Sequence, residues 1–141
     1  MSVLRTEPLS NWAVVGGRAR LAAGSVTHVL PSRVIEIVEY IDTKGKNPFR
    51  RWVSGLDAGA RARVLAAVLR MEGGNFSVAK GIGSGVSELR LDFGPGYRIY
   101  FGRDGERLVI LLGGGSKKRQ QTDIEEAHAC WAAYKRRKRE E

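Results

Sequence analysis

The sequence predicts an α+β domain with elements in the order β-α-α-β-β-β-α, a small antiparallel meander sheet packed against helices. Three observations carry this prediction. A β-branched run opens at Val34, three strand-like runs follow in close order between Val86 and Leu112, and stretches of helical apolar spacing stand on either side of them. A length of 141 residues suits one compact domain, and 43% hydrophobic residues are enough to build its core. No internal repeat is visible.

The first strand is Val34-Ile35-Glu36-Ile37-Val38-Glu39-Tyr40, β-branched and partly alternating. Asp42–Pro48 carries Gly45, Asn47 and Pro48, a loop that ends with proline at a helix start. Phe49–Leu56 and Ala60–Met71 read as two helices broken at Asp57–Gly59. In the second, Val64, Leu65, Val68, Leu69 and Met71 are expected on one apolar face, and Gly73-Gly74-Asn75 ends it. Strands are expected at Val86–Phe93, Tyr97–Arg103 and Arg107–Leu112. Gly94-Pro95-Gly96 and Asp104-Gly105 form the turns between them. Leu108–Leu112 is apolar throughout, as in a central strand covered on both faces. A last helix is expected from about Arg119 to Arg137, with Thr122 and Glu125 spaced as a capping box and Ile124, Ala127, Trp131 and Tyr134 on one face.

The formal charge of +9 divides into three parts. Residues 1–33 hold four arginines against one glutamate, residues 34–134 hold fifteen basic and twelve acidic side chains, and residues 135–141 hold five basic and two acidic ones. Each part is +3, so two-thirds of the excess sits at the ends. Residues 1–33 show no sustained period, and their apolar runs are too short and too interrupted by Arg18 and Arg20 for a signal peptide. They are expected to be a weakly ordered, dispensable extension, leaving 34–138 as the domain and 139–141 as a tail. The lone Cys130 excludes an internal disulfide framework and suits a reducing, cytoplasmic compartment. No apolar stretch approaches a membrane span, so no membrane partner is expected.

Strand alternation points to a site. Residues two apart share a face, so Leu89, Leu91 and Phe93 oppose Glu88, Arg90 and Asp92, and Tyr97, Ile99 and Phe101 oppose Arg98 and Tyr100. A hairpin that brings the apolar sets together also brings Arg90, Arg98 and Tyr100 together. Lys117, Lys118 and Arg119 arrive after the central strand, and Lys80 enters before the meander. The expected result is a basic concave face on which arginine forks bind phosphate and Tyr100 stacks a base. The competing reading is a solvated face whose arginines pair with Glu88 and Asp92.

Other motifs carry less. Neither Gly81–Gly85 nor Gly113–Lys117 has the spacing of a nucleotide loop, although the second run can offer backbone N–H groups to a phosphate. His128 is expected to pack the last helix, and Cys130 to be an inert helix thiol. With His28 far from His128, no metal site and no cofactor are expected.

The run Val86-Ser87-Glu88-Leu89-Arg90-Leu91-Asp92-Phe93-Gly94-Pro95-Gly96-Tyr97-Arg98-Ile99-Tyr100-Phe101 resembles the strand core of the RelE/ParE toxin superfamily, and more closely its HigB-like addiction-module killer branch. Val34–Tyr40, Asn47-Pro48-Phe49, Gly113–Arg119 and Trp131-Ala132-Ala133-Tyr134-Lys135 extend the resemblance over about residues 34–138. It implies a RelE-like toxin fold and a toxin neutralised by a cognate antitoxin, a helix-turn-helix protein. It also implies metal-independent cleavage of mRNA on the ribosome, by attack of the 2′-OH on the adjacent phosphate. Carried over by position, Arg98 would stabilise the phosphorane and Lys118 or Arg119 would assist the leaving group. Arg90 would lie among the catalytic basic residues, and Lys80, Lys117 and Tyr100 would bind RNA. The resemblance departs in the last helix, which has no tyrosine shortly after Arg119. Glu88 stands where a basic residue is usual, either a base or a salt-bridge partner, so the general base is unassigned. A ParE-like inhibitor of DNA gyrase without a nuclease site, and a basic RNA-binding protein using Lys135–Arg139, are the alternatives.

Overall fold

The computed structural model describes residues 35–140; the expectations for residues 1–33, Val34 and Glu141 lie outside the described residues. The elements are β1 (Glu36–Glu39), α1 (Pro48–Ser54), α2 (Ala58–Glu72), β2 (Ala79–Gly81), β3 (Val86–Arg90), β4 (Arg98–Asp104), β5 (Leu108–Gly115) and α3 (Gln120–Glu140). They form a mixed α+β domain with a five-stranded sheet and three helices, as the strand and helix patterns predict.

The sheet runs in the order β1-β5-β4-β3-β2. Strands β2 to β5 form the antiparallel meander, while β1 joins the edge of β5 in parallel, pairing Glu36 with Leu108 through Glu39 with Leu111. The two-helix crossover carries the chain to β2 at the far edge, antiparallel to β1, and the three reversals through the meander then bring β5 back into the direction of β1. Strand β2 escaped the sequence pattern because it is three residues long, with Lys80 and Gly81 exposed. The β3–β4 ladder is shorter than its apolar run: residues 91–97 form the connection, with Gly94 and Gly96 at positive φ.

Strand alternation builds two cores. Ile37, Leu89, Ile99, Phe101, Val109 and Leu111 face α1 and α2, whose Phe49, Val53, Val64, Val68 and Met71 are fully buried. Val38, Val86, Tyr100, Ile110 and Leu112 face α3, which packs them with Ala127, Trp131 and Tyr134. The open polar face expected from alternation is therefore covered over much of its area by α3. Leu69 departs from its expected inward position and is 44% exposed, because Ala60, Ala67 and Val64 already complete the buried stripe of α2.

Caps mark the helix starts. Asn47 Oδ1 accepts from Arg50 N at α1, and Asp57 Oδ1 accepts from Ala60 N at α2. The capping box expected at Thr122 and Glu125 is not formed, because both residues lie inside α3. A 3₁₀ turn at Lys117–Arg119 leads straight into that helix, and Ser116 before it makes no side-chain cap. The helix continues through Glu140, so Arg139 and Glu140, expected as tail, are helical.

Candidate functional site

Register assembles the expected site residues at one corner. Arg90 pairs with Arg98 and Glu88 with Tyr100 on the β3–β4 ladder, while Lys80 pairs with Glu88 on the β2–β3 ladder. Gly115 continues the row of Arg90 and Arg98 on β5. The 3₁₀ turn is tied to the β3–β4 connection by Lys117 N donating to Pro95 O at 3.2 Å. Lys80, Arg90, Lys117, Lys118 and Arg119 are exposed around this corner.

Arg98 and Tyr100 lie beneath it. Arg98 is 5% exposed; its Nη1 donates to Gly96 O at 2.7 Å, and its Nε lies 3.6 Å from Glu88 Oε1. Glu88, itself buried, also accepts from Gln120 Nε2 at 3.2 Å. It is thus the ion-pair partner of Arg98. Tyr100 is fully buried and its hydroxyl has no hydrogen-bond partner. Burial, with the Glu88 carboxylate beside it, pushes the phenol up to about 12. The base-stacking role expected of Tyr100 is corrected by this burial, since α3 leaves no ring face open.

A cleft of about 890 Å³ opens next to the same corner, between α1 and α3. Its floor is the Leu112–Ser116 end of β5, beyond the stretch that β1 pairs. One wall carries Arg51 and Trp52 of α1, with Tyr97 edge-on to Trp52 at 5.9 Å between ring centroids. The other wall carries Arg119, Asp123 and Cys130. Two glycines make this possible: a Cβ on Gly114 would overlap the Trp52 ring, and one on Gly115 would overlap the Asp123 carboxylate. Gly114 and Gly115 are thus packing requirements of the cleft. Buried Glu39 holds the α1 wall, accepting from Asn47 Nδ2 at 2.6 Å and Arg50 Nη2 at 3.0 Å.

Asp123, Gln120, Arg51, Trp52 and Tyr97 were not singled out by sequence reasoning. Only the glycine run signalled that side chains converge there. Asp123 Oδ1 lies 3.6 Å from Arg119 Nη2, while Oδ2 is buried without a hydrogen-bond partner. Burial raises its carboxyl above the usual range, opposed by Arg119. Cys130 is likewise pushed up to about 11 by burial, so its thiol stays protonated near neutrality.

The profile of the family described as Phage derived protein Gp49-like (DUF891) matches residues 51–136, which span α1 to the C-terminal half of α3 and include the whole basic corner. The chain belongs to this Gp49-like family. It is a family of toxins of the toxin–antitoxin type, which implies an antitoxin partner. The Gp49-like chain is also similar to an uncharacterised protein of Haemophilus influenzae, with 41% identity over 88 residues, covering 62% of this chain and 89% of the relative. No solved structure matches it. No helix among the described residues is long and apolar enough to cross a membrane.

Proposed function

We propose that this Gp49-like toxin acts in the cytoplasm as a metal-independent endoribonuclease that cuts mRNA on the ribosome and is silenced by a cognate helix-turn-helix antitoxin, in the manner of HigB-like members of the RelE/ParE superfamily. The observation that supports this reading is the ring of exposed Lys80, Arg90, Lys117, Lys118 and Arg119 around the buried Arg98. Five exposed cations on a rigid sheet-and-helix corner suit a polyphosphate backbone. Lys118 and Arg119 would neutralise the phosphorane and the departing 5′-oxygen. Arg98 would act from below by holding the β3–β4 connection through Gly96 O.

Induction in bacterial cells, followed by mapping of mRNA 5′ ends and measurement of translation, tests the reading. Lys118→Ala with Arg119→Ala is the appropriate variant, because both side chains are exposed, whereas Arg98→Ala would leave Glu88 buried without its partner. The expected outcome is growth arrest with new mRNA ends in the wild type and neither in the double variant. DNA damage with intact mRNA would instead identify gyrase as the target.

A further inference from the structure

Attack of a 2′-OH on the neighbouring phosphate needs a group to take up the hydroxyl proton, and the basic corner supplies none. Glu88 is committed elsewhere: it is buried, paired with Arg98 and engaged by Gln120. His128 is also committed, with Nε2 3.0 Å from Ile82 O on the far side of α3. We propose that Asp123 is the general base of this toxin, working in the cleft between α1 and α3 on an RNA phosphate held by Arg119. This rests on the endoribonuclease reading above.

Three features carry it. Asp123 stands one helical turn after Arg119, so both side chains face the same cleft. A phosphate on the Arg119 guanidinium, 3.6 Å from Asp123 Oδ1, brings the adjacent ribose hydroxyl to that oxygen. The Asp123 side chain is nine-tenths buried and one of its oxygens has no hydrogen-bond partner, a costly arrangement that a purely structural residue would avoid. Arg51 on the opposite wall supplies a second cation, and Trp52 and Tyr97 offer ring surface for a base. The groups that set the proton affinity of Asp123 besides burial are Arg119, in the turn before the helix, which lowers it, and Glu126 on the helix, which raises it. Tyr100 from the sheet and Arg51 across the cleft are the other titratable or charged groups that face it. Burial dominates, and a carboxylate that holds its proton more tightly than usual is the stronger base.

The step balances without a co-reactant. Asp123 takes the 2′-OH proton, O2′ bonds to phosphorus, and the P–O5′ bond breaks. O5′ then takes a proton from Lys118 or from water, giving a 2′,3′-cyclic phosphate and a 5′-hydroxyl.

Purified wild type, Asp123→Asn and Glu125→Gln would be compared for single-turnover cleavage of a message on preassembled ribosomes across a range of pH. Binding of a 2′-deoxy-substituted message would be measured alongside. The expected result is at least a roughly 100-fold loss for D123N, with binding within about threefold and loss of the acid-side fall in rate that the wild type shows. The exposed Glu125, one turn from Gln121, serves as a control and keeps the wild-type rate. A D123N rate within about tenfold of wild type, with the acid-side fall retained, would overturn the assignment. If D123N does not fold, Asp123→Ser, a smaller side chain in the same buried position, is read the same way. If neither folds, a wild-type rate with no acid-side fall overturns it. Failure of the wild type to cut any message would instead refute the endoribonuclease reading itself.

Discussion

The two ends of α3 are built on different terms. At the C-terminal end most polar side chains reach partners on the sheet, although Arg137 Nη1 is buried without a hydrogen-bond partner. The Tyr134 hydroxyl donates to Asp104, Lys138 Nζ reaches the same carboxylate at 2.5 Å, and Arg137 Nη2 donates to the Tyr40 hydroxyl at 2.8 Å. At the N-terminal end, the Tyr100 hydroxyl and Asp123 Oδ2 are buried without hydrogen-bond partners, beneath a turn of three exposed cations. A buried polar atom without a partner typically costs about 1–3 kcal/mol, so the second arrangement persists against stability. The contrast teaches that the C-terminal end anchors the helix, while the N-terminal end keeps buried polar atoms at a cost in stability beneath its exposed cations.

The strongest test of the anchor is Trp131→Ala. The ring covers Gly102 and Gly85 and stacks on Tyr134 at 5.0 Å between centroids. Its removal should cost about 4 kcal/mol in chemical denaturation, and retention of near-wild-type stability would break the comparison. Glu88→Gln tests the other end. It strands the Arg98 guanidinium in a buried site, with an expected loss of about 3 kcal/mol, read from the same denaturation curves.

A matched pair of smaller changes sharpens the contrast. Tyr134→Phe should lower stability by about 1 kcal/mol because the Asp104 hydrogen bond is lost, while Tyr100→Phe should be neutral or stabilising because its hydroxyl has no bond to lose. Equal effects of the two would erase the difference between the ends. The smallest effect concerns pH. Lys138 and Tyr134 hold Asp104 below the ordinary aspartate value of 3.8, so its contribution is present above that value and is lost as the pH falls through the folded one. Burial raises Asp123, so its penalty is present at neutral pH and is relieved as the pH falls through its folded value towards 3.8. Denaturation midpoints across pH should therefore show Asp104→Asn removing an acid-side loss and Asp123→Asn removing an acid-side gain.

Much of the fold was legible because it depends on short-range pattern. The turns at Gly94–Gly96 and Asp104-Gly105, the all-apolar β5 and the Ala127–Trp131–Tyr134 stripe were each readable within a few residues. Alternation also gathered Arg90, Arg98 and Tyr100 on one face, and the β3–β4 register pairs Arg90 with Arg98 and Glu88 with Tyr100. What alternation misplaced was the solvent. It named a polar face and took it as open, whereas α3 lies across it and buries Tyr100 and Arg98. At the C-terminus, too, the structure engages charges that the sequence only counts: Arg137 with Tyr40 and Lys138 with Asp104.

By itself, the sequence determined the order of the elements, the apolar side of each strand and the gathering of cations near Arg98 and Lys117–Arg119. These follow from residue periodicity and turn chemistry, which act locally. The tertiary structure alone decided that β1 stops short of Gly113–Gly115, that Trp52 and Asp123 close over those glycines, and that a cleft remains between α1 and α3. The physical reason is that burial and proton affinity are set by which distant segments exclude water, and no spacing within a strand or helix encodes which neighbour will arrive to do so.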